Sequence, residues 1–256
     1  MSDNPQSGSR SGEPVTDFGF RKVPLGEKKP MVRAVFDRVA NRYDLMNDLM
    51  SLGIHRAWKR VFTTALDPRP GATLLDLAGG TGDISFAWLR AGGGPVLLSD
   101  INSSMLSVGR DRALERGFSA DVTFLVADAE ALPLPDCCMD RVSIAFGLRN
   151  CTDKDAVLSE ARRVLRPGGR FLCLEFSKIQ VAALAPVYEA WSFKVLPLLG
   201  RMVAQDEASY RYLAESIRMF PDQEELAAML RRAGFARVGV RNLSGGIAAI
   251  HLGWRL

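Results

Sequence analysis

Cysteine and histidine are scarce in this 256-residue chain, with four cysteines (Cys137, Cys138, Cys151, Cys173) and two histidines (His55, His251). No CxxC pair occurs, which argues against a zinc site, and no metal is expected. A reducing cytosol is the simplest compartment for so few thiols. No apolar run is long enough to cross a membrane. The opening residues 1–16 have no apolar h-region and carry Asp3 and Glu13, so neither a secretory signal nor a mitochondrial transit peptide is expected there. Charge is not concentrated either: the net +4 is mild, no dense Lys/Arg stripe appears, and nucleic acid is not an expected partner. No internal repeat is found.

What remains is an ordinary globular composition with enough apolar residues for a substantial core, at a length that suits one large α/β domain or two small ones. Residues 1–20 are rich in Ser, Gly, Asp and Asn and read as a disordered tail. Residues 21–256 read as one catalytic-size domain. Within it, Val32, Val35, Phe36 and Val39, then Trp58, Val61, Phe62 and Ala65, recur at helical spacing and predict a helical cap over 31–66. Tyr43, Asp44, Asn47 and His55 are polar residues among these apolar neighbours.

The sequence then alternates strands and helices. Strands are predicted at 73–78, 95–100, 122–127, within 138–146, and at 170–176. Helices are predicted between them, and Pro167-Gly168-Gly169 stops the one at 153–165. The stretch 179–220 breaks the rhythm and reads as a helical insertion above the carboxyl ends of the strands. Two last strands, about 236–242 and 247–254, are joined by the short Ser244-Gly245-Gly246 turn and so pair antiparallel. The expected fold is α/β: a Rossmann-like, doubly wound, seven-stranded, mainly parallel sheet with an antiparallel last strand.

The chain is organised around Thr73-Leu74-Leu75-Asp76-Leu77-Ala78-Gly79-Gly80-Thr81-Gly82-Asp83. Its apolar run has no polar alternation, as in a parallel strand covered on both faces. The glycine turn lets a ligand approach the backbone, and the helix behind it aims N–H groups at that ligand. A dinucleotide-binding turn wants G-x-G-x-x-G/A, whereas Ser85 holds the third small position here, and Asp83 would repel a pyrophosphate. S-adenosylmethionine carries no phosphate and suits the residues better. Acids near the turn match its ammonium, and backbone N–H groups match its carboxylate. Asp100, ending the second strand, can accept both ribose hydroxyls, and Asp128-Ala129, ending the third, can bond the adenine edge.

The stretches LLDLAGGTGDISF, LLSDIN, DAEALPLPD and RVLRPGGRFLCLEF resemble the ordered motifs of class I S-adenosylmethionine-dependent methyltransferases. YDLMNDLMSLGIHRAW (43–58), FGLRN (146–150), RRVLRPGGRFLCLEFSK (162–178) and SYRYLAESIRMFPD (209–222) resemble the C-methyltransferases of ubiquinone and menaquinone biosynthesis. The resemblance runs from about residue 17 to the C-terminus. It implies S-adenosylmethionine as cosubstrate and a polyprenylated benzoquinol or demethylmenaquinol as acceptor. It places cosubstrate contacts on Thr81, Asp100 and Asp128-Ala129, beside Gly80 and Gly82 of the turn. Where some relatives carry Ser, this chain has Ala145, which removes a side-chain contact. The resemblance also allows a homodimer, a place in a quinone-biosynthesis complex, and a cytoplasmic location with peripheral contact at the inner membrane.

Methyl transfer from a sulfonium is an in-line displacement governed by positioning and electrostatics. An aromatic carbon attacks well only when a ring hydroxyl, of pKa about 10, loses its proton. Arg149 is the leading candidate to orient the quinol or stabilise its phenolate at the site rim. The alternative for it is a surface salt bridge. His55 is the alternative base, with a structural hydrogen bond as its other reading. Tyr43, Tyr210 and Tyr212 either line the ring pocket or pack the core, and the apolar stretch Tyr188–Leu199 offers a groove for the prenyl tail. The rival functions are a nicotinamide-dependent oxidoreductase, a non-catalytic adaptor that keeps the cofactor fold, and a small-molecule O- or N-methyltransferase.

Overall fold

The computed structural model describes residues 14–39, 48, 51, 53–181 and 207–256. Tyr43, Asp44, Asn47 and the proposed tail groove at 188–199 lie outside the described residues. The first described element is a hairpin, β1 (Val15–Phe18) and β2 (Arg21–Pro24), turned at Gly19 with φ +60°. This corrects the expected tail over 15–20. Phe18 is buried and stacks on Tyr212 at 4.2 Å between ring centroids, and that apolar contact anchors a segment whose composition reads as disordered.

Helix α1 (Leu25–Val39) begins ahead of the predicted start at Met31 and carries Pro30 inside it, and α2 (His55–Leu66) follows. The α/β layer then runs β3 (Leu74–Leu77), α3 (Asp83–Arg90), β4 (Val96–Asp100), α4 (Ser103–Glu115), β5 (Val122–Val126), β6 (Met139–Ala145), a 3-10 turn at Leu148–Asn150, α5 (Lys154–Val164) and β7 (Leu165–Phe176). Helices α6 (Glu207–Met219) and α7 (Gln223–Arg232) precede β8 (Ala236–Leu243) and β9 (Ala248–Trp254).

The sheet has seven strands in the order β5-β4-β3-β6-β7-β9-β8. The pairs β4–β5, β3–β4, β3–β6 and β6–β7 are parallel, and β9 runs antiparallel between β7 and β8. β3 is buried along its whole length and alternates between the two faces. Leu74 joins Trp58, Phe62, Phe86 and Leu106 on one side, and Leu75 and Leu77 join Val157, Leu158, Leu226 and Leu230 on the other. The helix ends at Val164, ahead of Pro167-Gly168-Gly169, and that segment lies within β7 at the point where its pairing with β6 shifts register, between Met139 and Arg141 of β6.

The chain leaves β3 toward β4 and β5, then returns to β6 on the other side. A crevice therefore opens at the carboxyl ends of β3 and β6, where ligands bind in such sheets.

Candidate functional site

A cavity partly open to solvent occupies that crevice. Gly79, Gly80, Thr81, Asp83, Asp100, Asp128, Ala129 and Ala145 line it, together with Phe146, Gly147 and Asn150. Of the predicted cosubstrate residues, Gly80, Thr81, Asp100, Asp128 and Ala129 are thus brought to one place, while Gly82 lies outside the lining. Thr81 is buried, and its hydroxyl accepts from Arg112 Nη1 at 3.0 Å.

The backbone at the strand ends is held in unusual conformations. Ala78 (φ +47°) closes β3, and Phe146 (φ +57°) closes β6. Such φ values are uncommon outside glycine and are found at functional sites. Gly82 has φ +86°, and a Cβ there would stand 2.7 Å from the Phe86 ring. The turn therefore needs glycine both for its dihedral and for its packing.

Asp76 is buried beneath the turn. Its Oδ2 accepts from Ser85 Oγ at 2.7 Å and from the Ser85 N–H at 3.2 Å, and its Oδ1 accepts from Ser143 Oγ at 2.7 Å. Burial raises its pKa to about 6, against the lowering effect of the two serines. Asp100 accepts from the Gly80 N–H (2.9 Å) and the Asn102 N–H (2.8 Å), one on each oxygen. Burial also lifts Asp100 to about 6, with those N–H groups opposing the shift. An ionised carboxylate has about four lone-pair positions, so acceptor capacity remains toward the cavity.

Helix α1 closes one side of the mouth. Lys29, Arg33 and Asp37 recur at four-residue spacing and so share a helix face. Lys29 Nζ pairs with Asp128 Oδ2 (2.5 Å) and Glu130 Oε2 (2.7 Å). Arg33 Nη2 donates to the Ile101 carbonyl (3.1 Å), and Asp37 Oδ1 accepts from Asn102 Nδ2 (2.9 Å). At the other end Lys59, from α2, pairs with Asp83 Oδ2 at 2.6 Å, with Arg112 Nη1 3.5 Å from Oδ1. Burial pushes the Asp83 carboxyl up, but Lys59, Arg112 and Arg116 outweigh it and hold it below the usual carboxylate range.

Arg149 does not stand at the rim. It is 4% exposed and lies behind the cavity wall. Its Nη1 donates to both Glu175 oxygens (3.2 and 2.9 Å) and to the Phe146 carbonyl (2.6 Å), and its backbone N–H donates to Glu175 Oε1 (3.1 Å). The surface salt bridge weighed for it is a buried one. Its neighbour Asn150 reaches the cavity and accepts from the Tyr212 hydroxyl at 3.1 Å. Tyr210 and Tyr212 pack in the core and do not line the cavity.

His55 is buried and also outside the lining. Its Nε2 meets Asp48 Oδ1 at 2.8 Å, and burial lowers its pKa against the raising effect of Asp48. Lys29, Lys59, Glu130 and Asn150 are site residues that the sequence reading passed over. A lysine within an amphipathic helix carries no local mark of its partner, whereas Asn150, next to Arg149 in FGLRN, stood inside a stretch already singled out.

The ubiE/COQ5 methyltransferase family model matches residues 22–255. The ubiquinone/menaquinone biosynthesis C-methyltransferase UbiE of Acidiphilium cryptum is 72% identical over 242 residues, covering 94% of this chain and 97% of that protein. The protein of the same name from Xylella fastidiosa is 56% identical over 243 residues, covering 94% and 96%. Among solved structures, a SAM-dependent methyltransferase from Aquifex aeolicus superposes with a TM-score of 0.57 at 18% identity, covering 77% of this chain and 89% of that one. Haemonchus contortus phosphoethanolamine N-methyltransferase 2, solved with S-adenosyl-L-methionine, gives 0.59 at 15% identity, covering 78% and 52%. These structural likenesses establish the fold. With its family match over nearly all its length and relatives this similar, the chain belongs to the ubiE/COQ5 methyltransferase family.

Proposed function

We propose that this protein transfers a methyl group from S-adenosylmethionine to a ring carbon of a polyprenylated quinol in ubiquinone and menaquinone biosynthesis. The reaction and pathway follow the family and the names of its relatives. The observation that carries the site assignment is the order of acids along the strand ends, with Asp128 after β5, Asp100 at the end of β4 and the glycine turn after β3. A nucleoside with a long polar tail presents its groups in that sequence.

In this reading Asp100 holds the ribose diol, and Asp128-Ala129 holds the adenine edge, where Lys29 now pairs with the carboxylate. Ala145 contributes only its backbone. Phe146, Gly147 and Asn150 face the acceptor. S-adenosylmethionine supplies an already activated methyl group, so the protein's own residues have to align the acceptor, exclude water and favour its ionised form.

Arg149 is kept in the site as a positioning residue. The Glu175 carboxylate already answers its charge, which makes a direct bond to a phenolate a poor use of it. Its bonds to Phe146 and Glu175 hold the Leu148–Asn150 turn, and with it Asn150, against the cavity. No described helix is long and apolar enough to cross a membrane, and we place the protein in the cytoplasm against the inner membrane, where such an acceptor resides.

The test is an assay with labelled methyl donor and paired benzoquinol and naphthoquinol acceptors, each held reduced and, separately, oxidised. A quinone ring is electron-poor, whereas a quinol with one ionised hydroxyl pushes charge onto its ring carbons. Turnover is expected with the reduced acceptor alone, with a new carbon–methyl bond by NMR. Equal turnover of the oxidised form, or a methyl on oxygen, overturns the reading.

A further inference from the structure

The Lys59–Asp83 pair is an ion pair built into the lining of a ligand cavity. The lysine comes from α2 and the aspartate from the first turn of α3, and the side chains are 13% and 27% exposed. Both residues line the cavity at the β3 end, two strands from Asp128. With strands spaced about 4.8 Å apart, adenine contacts after β5 and ribose contacts at β4 leave the amino-acid end of the same molecule over β3 and α3.

That end is a zwitterion, with a carboxylate and an ammonium on one carbon. The expected receptor for its carboxylate was the set of backbone N–H groups in the glycine turn. Four of those groups are engaged within the protein. The Gly79 N–H donates to the Ser99 carbonyl (3.0 Å), that of Gly80 to Asp100 Oδ2 (2.9 Å), that of Gly82 to the Gly79 carbonyl (2.9 Å) and that of Ser85 to Asp76 Oδ2 (3.2 Å).

We propose that Lys59 binds the α-carboxylate of the cosubstrate and Asp83 its ammonium, the zwitterion lying head-to-tail along the ion pair. This rests on the assignment of Asp100 and Asp128 to the nucleoside. Four charges then alternate in sign in a partly desolvated cavity, where such contacts are strong. Arg112, on the far oxygen of Asp83, keeps that carboxylate ionised and in place. The pair in this structure thus preforms both halves of the receptor.

The test crosses ligand truncation with side-chain truncation, read by calorimetry with melting temperature as a check on folding. The ligands are S-adenosylhomocysteine, its decarboxylated analogue, which keeps the amine, and 5′-methylthioadenosine, which lacks the amino-acid end. In the unaltered protein, removing the carboxylate is expected to weaken binding at least tenfold. Lys59→Met is expected to bind S-adenosylhomocysteine at least tenfold more weakly and the decarboxylated analogue within about twofold of the unaltered protein. Lys59→Arg is expected to keep the preference for the carboxylate. Asp83→Asn is expected to weaken both amine-bearing ligands and leave 5′-methylthioadenosine unchanged. Equal losses for all three ligands in Lys59→Met, or no penalty for decarboxylation in the unaltered protein, overturn the assignment while leaving the nucleoside site standing. Failure of the unaltered protein to bind any of the three overturns both.

Discussion

Asp100 and Asp76 are carboxylates whose environments raise their pKa to about 6, and the two have different consequences. Asp76 borders the cavity, but Ser85 and Ser143 engage both of its oxygens, so its shift acts on folding. An unfolded aspartate titrates near 4. Between about pH 4 and pH 6 the folded state therefore holds the proton that the unfolded state has lost, and stability falls as pH rises through that window. The contribution is about 3 kcal/mol, fully present below pH 4 and gone above 6. Asp76→Asn is expected to flatten that slope in urea titrations followed at several pH values. Asp100 lines the cavity, and in the proposed reading its ionised form is the better acceptor for the ribose diol. Affinity for S-adenosylhomocysteine is accordingly expected to fall as pH drops below about 6. Asp100→Ala should cost about 1.5–3 kcal/mol of binding by calorimetry, because charge-assisted bonds to both hydroxyls are lost. Glu175→Gln leaves the Arg149 guanidinium buried without its counter-charge and is expected to lower stability by about 3–5 kcal/mol, measured by denaturant unfolding.

At the scale of elements, α1 is fastened across the cavity mouth by Lys29, Arg33 and Asp37, and α2 contributes Lys59. All but one of these contacts land on the loops that carry Asp100 and Asp128, and the last reaches Asp83 at the head of α3. A ligand that orders those loops should therefore order the helices. Hydrogen exchange in α1 and α2 is expected to slow when S-adenosylhomocysteine binds. In Lys29→Ala, exchange in α1 is expected to be faster without ligand. If binding protects the glycine turn alone, these helices are fixed walls and not a cover. The described part of the other predicted cover, α6, contributes no lining residue. It acts through Tyr212, which bonds Asn150 on one side and stacks under Phe18 on the other. Phe18→Ala is expected to reduce turnover with the quinol more than affinity for S-adenosylhomocysteine, since it loosens the acceptor side only.

At the scale of the molecule, the regular half of the fold was legible because its signals are local. Buried strands such as Leu74–Leu77 are unbroken apolar runs, Asn102 and Asp153 cap their helices from within a few residues, and the glycines of the turn announce a backbone that no other residue fits. The acids at the strand ends were legible for the same reason, since the end of a parallel strand is a place in the sequence as well as in space. The hairpin at Val15–Pro24 was not, because its stability comes from Phe18 meeting Tyr212, almost the whole chain away, while its own composition is that of a tail. Arg149 shows the same limit. Its motif marked it as part of the site, but whether its charge faced a substrate or a counter-ion depended on Glu175, a residue on β7, well removed in sequence. Lys59 and Asp83 carried no local mark of each other. The strands, the glycine turn and the acids at the strand ends were readable in the sequence, because the local signals for backbone conformation and burial lie in neighbouring residues. Which charges are already neutralised and which still face the cavity came from the folded chain, because Coulomb interactions and desolvation depend on distance and solvent exclusion, which residues acquire when remote segments pack together.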